Sequence, residues 1–474
     1  MGRGSSLPGQ IALKIYPGVL GRLKLPDTII AVTGSNGKTS TAEFITRALE
    51  ANGKSVGLNH EGANQIEGVA TLFLRIATFR GVVKRDAMVL ECDERYTRMI
   101  FKAVRPSALV VTNLCRDQLT RNGHHEFIQD CIRAAIEECR GGGSPDTLLV
   151  LNADDPYVAS LADAKFGMRN SEFGIEERSE EPVTPFSRGN RFVWFGMSRE
   201  MAINSEFRIP NSELFAIPNS EFKAAQPLYD DGAFCPVCKS RMTYEYRIAG
   251  HYGAYACNKC GLSRPKPDIE VTALDNRTGV VTIVPDSLDS VESHLKLPSL
   301  VGAYNLAAAV ATAAAVGVNV GDAARALDGY ELVGGRTVRF SSGKREGILL
   351  VSKHENSLSY NQSLAWVTKQ DKPCTVIVLV DSISRKYYTG ETSWLWDVDF
   401  DILADDCVKS IVLAGRYSNE LMARFAMSSI DPGKIGCAAD LAKLCEHVQQ
   451  NTTGDIYALT CFADKMKLLK AFSA

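Results

Sequence analysis

The stretch Thr28-Ile-Ile-Ala-Val-Thr33-Gly34-Ser-Asn-Gly37-Lys38-Thr39-Ser40 decides the fold. Its first six residues are apolar or β-branched and read as a buried strand. The glycine-rich turn that follows leads into an amphipathic pattern over Thr39–Asn52, closed by Gly53. Strand, loop and helix in that order present unpaired backbone N–H groups at a helix N-terminus, a concave donor surface for phosphate oxygens. Gly34 and Gly37 permit close backbone approach. Lys38 brings a point charge to the β- and γ-phosphates, and the Thr39 hydroxyl is a Mg²⁺ ligand. Val32 stands where the full Walker pattern has its first glycine. We expect ATP and Mg²⁺ here, with Gly34, Asn36, Gly37, Lys38, Thr39 and Ser40 around the phosphates and Lys38 as the catalytic cation.

Working outward, Ala87–Cys92, Ala108–Asn113 and Thr147–Asn152 are further short apolar runs separated by helical patterns. That rhythm predicts a parallel sheet covered on both faces. Carboxylates at the C-terminal ends of such strands face the ligand crevice. Glu91 is therefore the expected second Mg²⁺ ligand and a catalytic residue, with Asp93 as the alternate. Arg116 and Asp117 end the next strand, and a structural ion pair is an equal reading of them.

Residues 170–222 repeat Asn-Ser-Glu irregularly and read as an expanded loop, with Arg191–Gly196 as a genuine strand inside it. Cys235-Pro-Val-Cys238 and Cys257-Asn-Lys-Cys260 have the spacing of a four-thiolate zinc ribbon, within a module spanning 233–267. Four thiolates close the coordination shell, so the Zn²⁺ expected there is structural. Two strand-like segments follow, then an Ala-rich helix over Tyr304–Val316. Beyond Gly334-Gly-Arg336, apolar runs at 347–351, 375–380, 410–414 and 456–460 alternate with helices, which predicts a second, smaller α/β domain. The expected division is 1–335 and 336–474.

The net charge of −2 argues against a dedicated nucleic-acid binder. No run of about 18 apolar residues predicts a membrane span. The segment Ile11–Leu25 mixes apolar residues with Lys14, Arg22 and Lys24. It reads as a packed N-terminal helix, with contact to a membrane surface as the alternative. Thirteen cysteines, four in metal spacing and nine scattered, together with no secretory pattern, fit a reducing cytoplasm.

The phosphate loop, Asn-His-Glu-Gly-Ala-Asn over 59–64, Val-Leu-Glu-Cys-Asp-Glu over 89–94, the segment Val110–Leu119 and Leu-Asn-Ala-Asp-Asp-Pro over 151–156 together resemble the Mur ligase superfamily. The inserted ribbon, its exit Cys260–Asp268 and the segment Ser393-Trp-Leu-Trp-Asp397 narrow the likeness to the MurT branch. The resemblance implies a Mur-ligase-type ATPase domain carrying the ribbon, followed by a Rossmann-like ligase domain. It implies ATP-dependent amidation of the D-glutamate α-carboxylate of lipid II through an acyl phosphate, with ammonia from a GatD-type glutaminase partner. Asn305 then matches the family asparagine beside adenine, and Arg336 matches the interdomain arginine. Glu391 stands in the segment whose family carboxylate orients the glutaminase histidine. The chain departs from the family at Lys353–Gln362, at 389–394, where one residue is missing, and after Leu119. An amino-acid-adding ligase of the Mur or folylpolyglutamate type is an alternative, although it leaves the ribbon unexplained. A zinc-ribbon NTP-binding scaffold without amidation activity is another.

Overall fold

The computed structural model describes residues 6–59, 63–117, 122–139, 147–162, 192–204, 231–248, 251–275, 277–286, 288–296, 298–332, 337–353, 355–370, 372–383 and 391–473. Arg336 and most of the Asn-Ser-Glu stretch lie outside these residues. The chain divides into two compact units. Among the described residues, the second comprises 337–473 together with 116, 117 and 122–124 from earlier in the chain.

In the first unit the strands are β1 (Thr28–Thr33), β2 (Val56–Leu58), β3 (Ala87–Glu91), β4 (Ala108–Val111), β5 (Leu148–Asn152), β6 (Phe192–Met197), β7 (Thr243–Ile248), β8 (Tyr252–Ala256), β9 (Ile269–Leu274), β10 (Val280–Pro285) and β11 (Val291–His294). Nine of them form one sheet in the order β11-β10-β9-β6-β5-β4-β1-β3-β2. From β2 to β9 every pairing is parallel, and β9, β10 and β11 finish the sheet as an antiparallel meander. The segment Arg191–Gly196, read as a strand, is β6.

The helices of this unit are α1 (Leu7–Ile15), α2 (Lys38–Ala51), α3 (Ile66–Ile76), α4 (Thr97–Ala103), α5 (His125–Cys139), α6 (Pro156–Ala159), α7 (Arg199–Asn204), α8 (Leu300–Ala315) and α9 (Val320–Leu327). Strand β1 shows why both sheet faces must be covered. Ile29 and Ala31 join one core with Val69 and Phe73 of α3 and Ile132 of α5, while Ile30 and Val32 are equally buried on the opposite face. On that face α2 packs against β1 and β3, and α8 packs against α2 and across β4, β5, β6 and β9. The alanines of α8 are small enough for this close approach, and its N-terminus is capped by the Ser299 hydroxyl, which accepts from Gly302 N–H at 3.0 Å.

The second unit has β12 (Thr337–Ser342), β13 (Arg345–Ser352), β14 (Cys374–Leu379), β15 (Val408–Ala414), β16 (Ile435–Ala438) and β17 (Asp455–Cys461) in the order β12-β13-β17-β14-β15-β16. Only β12 runs antiparallel. Helices α10 (Ser357–Thr368) and α11 (Ser418–Phe425) cover one face, around Tyr360, Trp394 and Phe400. Helices α12 (Leu444–Asn451) and α13 (Lys465–Phe472) cover the other. Among the described residues no helix is long and apolar enough to cross a membrane.

Candidate nucleotide and metal sites

Strand β1 stops at Thr33 and α2 begins at Lys38, so four residues make the whole turn. Gly34 takes φ +128°, and a Cβ on it would lie 2.2 Å from the Thr112 hydroxyl. Gly37 takes φ +82°, and a Cβ there would lie 2.1 Å from Asn305 Oδ1. Neither position tolerates a side chain.

The end of β4 holds the turn from beneath. Asn36 N–H donates to Asn113 Oδ1 at 2.9 Å, Ser35 N–H to the Asn113 carbonyl at 2.8 Å, and the Thr112 hydroxyl to the Asn36 carbonyl at 2.6 Å. Ser35 and Cys115 exchange hydrogen bonds, Oγ to carbonyl at 3.0 Å and N–H to Oγ at 3.1 Å. Asn305 of α8 closes the other side, its Oδ1 accepting from the Thr41 hydroxyl at 3.3 Å. Expected beside the base, Asn305 therefore also shapes the loop.

Lys38 is only 8% exposed, and a buried ammonium needs partners. It donates to the Gly34 carbonyl and to Glu94 Oε1, the latter at 2.5 Å. Glu94 itself is buried at the end of Val89–Glu94. The sequence signal for it is the last residue of Val-Leu-Glu-Cys-Asp-Glu, a stretch in which the sequence pointed to Glu91 and Asp93 instead.

Thr39 Oγ1 donates to Glu91 Oε2 at 2.9 Å, and Asn64 Nδ2 donates to Glu91 Oε1 at 3.3 Å. Asn59 fixes the Glu91 backbone, accepting its N–H at 2.7 Å and donating to its carbonyl at 2.8 Å. Asp93 points elsewhere, toward Arg95 at 3.5 Å. A hydroxyl and a carboxylate oxygen facing one another beside a phosphate cradle are hard oxygen donors of the kind Mg²⁺ selects. The loop, Lys38, Thr39 and Glu91 thus fit a Mg²⁺–nucleotide. Cys92, between Glu91 and Asp93, is fully buried and its thiol pKa is pushed well up by burial, which makes it a core residue.

The four ribbon cysteines come together, with all sulfurs within 4.8 Å of one another. Cys235 and Cys260 Sγ are 3.5 Å apart, and Cys238 and Cys257 Sγ are 3.4 Å apart. Sulfurs at about 2.3 Å from a central zinc would be about 3.8 Å apart, so the cluster is close to a tetrahedral shell. The two knuckles repeat one another. Lys239 N–H donates to the Cys235 carbonyl and Gly261 N–H to the Cys257 carbonyl, both at 2.9 Å. Lys239 and Gly261 have φ of +61° and +79°. Backbone N–H at Ser240 lowers the Cys238 pKa, while burial raises those of Cys235 and Cys260.

The ribbon is fastened by Leu151–Pro156, a role invisible in the sequence. Asp154 Oδ1 accepts from Arg264 Nε at 2.7 Å, while its Oδ2 accepts from Met197 N–H and the Tyr304 hydroxyl, both at 2.7 Å. Asp155 caps α6 and accepts from Leu114 N–H, and its Oδ2 meets His251 Nε2 at 3.0 Å. Both His251 and Asp155 are fully buried. His125, from the segment that departs from the family after Leu119, packs edge-on against Tyr157 with centroids 4.2 Å apart.

In the second unit, Arg116 meets Asp397 at 3.3 Å, and Asp117 pairs with Lys353 and accepts from Asn356 Nδ2 at 3.0 Å. Arg116 and Asp117 thus each find a partner in the C-terminal residues. Glu391 is exposed, and its Oε1 accepts from Ser393 N–H at 2.7 Å, which lowers its pKa. Trp394 is buried against Tyr360, with centroids 5.1 Å apart, whereas Trp396 is half exposed.

Comparison with known proteins accounts for both units. A family model described as the Mur ligase middle domain matches residues 32–216, and one described as the MurT ligase C-terminal matches 354–464. The chain is 28% identical over 467 residues to "Lipid II isoglutaminyl synthase (glutamine-hydrolyzing) subunit MurT" of Streptococcus pneumoniae, covering 98% of this chain and 91% of that one. The chain belongs to the Mur ligase family, in its MurT branch.

A MurT-named relative from Staphylococcus aureus is 26% identical, covering 90% of this MurT-family chain and 84% of its own. Among solved structures, a pseudomurein peptide ligase type C from Methanothermus fervidus matches with TM-score 0.67 at 18% identity, over 96% of this chain and 80% of that one. MurF from Acinetobacter baumannii gives TM-score 0.59 at 15% identity, over 94% and 76%. These two likenesses bear on the fold. Mur ligases are ATP-dependent ligases that use Mg²⁺, and this MurT-family chain is a ligase of that class.

Two outcomes follow from the ribbon. Elemental analysis of freshly purified, reduced protein should find one zinc per chain, and Cys257→Ser should lose it while ATP still binds. Zinc-free protein with four reduced thiols would remove the assignment. The second concerns pH. Burial alone would lower the His251 pKa, but the Asp155 carboxylate offsets this and the net shift is upward. A raised folded pKa stabilises fully below the unfolded value of about 6.5 and ceases to do so as pH rises through the folded value. The thermal-stability difference between the native chain and His251→Gln should therefore shrink as pH is raised from mildly acidic to alkaline. A difference that stays constant would show that the pair does not titrate.

Proposed function

We propose that this chain is the synthetase subunit that amidates the α-carboxylate of D-glutamate in the stem peptide of lipid II. The observation that carries the reading is the pairing of Thr39 with Glu91 and of Lys38 with Glu94 around a turn whose two glycines admit no Cβ, in a chain aligned over nearly its whole length with relatives named for lipid II isoglutaminyl synthesis.

In this mechanism the N–H groups at the N-terminus of α2 and Lys38 hold the nucleotide phosphates, and Thr39 and Glu91 hold Mg²⁺, which supplies charge neutralisation when bound. Ser40 and Asn36 complete the phosphate contacts, and Asn305 and Arg336 hold the nucleotide. A carboxylate oxygen of the substrate attacks the γ-phosphorus in line and the bond to the β-phosphate oxygen breaks, giving ADP and an acyl phosphate. Ammonia then attacks the carbonyl carbon, the C–O bond to phosphate breaks, and the amide forms with loss of a proton and inorganic phosphate. The protein's share is positioning and electrostatics.

Ammonia comes from a separate GatD-type glutaminase, and the complex works at the cytoplasmic membrane face. Two of this chain's cysteines that could be suspected of glutaminase chemistry, Cys92 and Cys461, are buried with raised thiol pKa, unsuited to nucleophilic attack. Glu391, exposed before a buried tryptophan anchor, is the carboxylate offered to the glutaminase histidine. The ribbon's zinc is structural.

Reconstitution with lipid II, ATP and either glutamine plus the glutaminase or ammonium chloride tests the reading. Lys38→Ala should lower amidation by about 100- to 1000-fold with either nitrogen source. Unchanged turnover in folded protein would refute the phosphate-loop assignment. Glu391→Gln should impair glutamine-driven amidation and spare the ammonia-driven reaction. Equal loss with both would place Glu391 in the synthetase chemistry, and no loss with either would leave it a turn cap.

A further inference from the structure

Helix α1 has two unlike faces. Gly9 is buried so tightly that a Cβ on it would lie 2.0 Å from the Glu67 carbonyl oxygen, and its N–H donates to the Thr71 hydroxyl at 2.8 Å. That face packs on α3. At 100° per residue, Leu7, Ile11, Lys14 and Ile15 fall within an arc of about 100° roughly opposite Gly9. There Leu7 is 52% exposed, Ile11 49% and Ile15 80%. An apolar stripe therefore faces outward on a helix whose inner face is already satisfied.

The surface continues past the helix. Tyr16 is 45% exposed, and its hydroxyl accepts from Arg22 Nε at 3.1 Å. Lys24 N–H donates to the Gly81 carbonyl at 2.8 Å and Val83 N–H to the Lys24 carbonyl at 3.0 Å, which ties this segment to the tight turn carrying Phe79. Phe79 stands wholly exposed at that turn. In the same two stretches of chain Lys14, Arg22, Lys24, Arg80, Lys84 and Arg85 are all exposed. Segments 7–27 and 75–86 hold seven basic residues and two acidic ones, in a chain of net charge −2. One of the two, Asp86, is occupied by Ser55, accepting its N–H at 2.7 Å and its hydroxyl at 2.6 Å.

We propose that α1 and the Phe79 turn form a surface that seats the protein on an anionic lipid bilayer, with Leu7, Ile11, Ile15 and Phe79 entering the headgroup–acyl boundary and the surrounding lysines and arginines meeting lipid phosphates. Exposed apolar side chains accompanied by exposed cations are the chemistry of an interfacial helix, and an exposed aromatic suits the headgroup level. A protein partner or a second copy would cover the apolar stripe but leave most of this like-signed charge without a counterpart, whereas an anionic leaflet satisfies both. The inference deepens the proposed function, since a lipid-linked substrate is reached only at the bilayer, and it rests on that reading for its purpose alone.

The test is sedimentation of the full chain with phosphatidylcholine vesicles, with and without phosphatidylglycerol. Binding should require phosphatidylglycerol, weaken as salt rises, and fall about tenfold or more in Ile11→Asp/Ile15→Asp and in Lys14→Glu/Arg80→Glu, both retaining the native melting temperature. No binding beyond that to phosphatidylcholine alone, or equal binding by the variants, overturns the proposal. Native protein that scatters light as a dimer, with Ile11→Asp/Ile15→Asp a monomer, also overturns it in favour of a second copy. Amidation of lipid II in vesicles should fall in the variants while amidation of the same stem peptide without its lipid is unchanged. Vesicle binding without amidation of either acceptor would sink the proposed function and leave the surface standing.

Discussion

A turn of four residues must carry the chain from β1 into α2 while the N–H groups of Ser35 and Asn36 are taken by Asn113 and the N-terminus of α2 is left to face a ligand, and the surrounding architecture answers to that requirement. Two glycines without room for a Cβ bring the backbone against Thr112 and Asn113 on one side and Asn305 on the other. The donors that a phosphate would meet are thus held by β4 and α8, elements distant in sequence. Lys38 adds a second demand. An ammonium withdrawn from water is costly unless compensated, and here a loop carbonyl and the Glu94 carboxylate compensate it. Glu94, just past the end of β3, and Lys38 at the start of α2 are neighbours because β1 and β3 are adjacent parallel strands in register.

The two aspartates after β5 extend this logic to the ribbon. Below about 40 residues a module rarely supplies enough core of its own, so a metal and a firm seat on a larger body are both useful. Asp154 and Asp155 provide the seat, taking Arg264 and His251 from the module while their remaining oxygens satisfy backbone N–H groups and the Tyr304 hydroxyl. Buried charge is tolerated here because nearly every lone pair is used. Tyr304 and Asn305 are consecutive residues of α8, so one helix turn contacts both the ribbon's anchor and the phosphate loop.

The second unit holds Arg116 and Asp117 through two of its own segments. Lys353 and Asn356, from the altered segment, are the groups that take Asp117. Asp397, from the conserved-looking tryptophan segment, takes Arg116. Trp394 is anchored in the core while Trp396 stays half exposed, so one short segment is both packed and available at the surface.

Much of this was legible in the amino-acid order because it is local. The strand Thr28–Thr33, the helix beginning beside Lys38, the two parallel-sheet rhythms and the paired Cys-x-x-Cys knuckles each depend on residues a few positions apart, where periodicity, glycine and thiol spacing speak directly. Short or irregular strands such as β2, β7, β11 and β16 were not, since three to six residues of mixed polarity carry little periodic signal. The segment Ile11–Leu25 was read as a packed N-terminal helix or a membrane contact, whereas the helix is Leu7–Ile15, packed on α3 through Gly9 with apolar residues exposed on its other side. Glu94 as the partner of Lys38, the choice of Glu91 over Asp93 beside Thr39, and the attachment of His251 to Asp155 join residues that are between 52 and 96 positions apart. Such pairings are set by strand register and by which element covers which face. The sequence by itself therefore determined which chemistry is present, and the tertiary structure alone decided which groups of that chemistry meet, because only packing converts distance along the chain into distance in space.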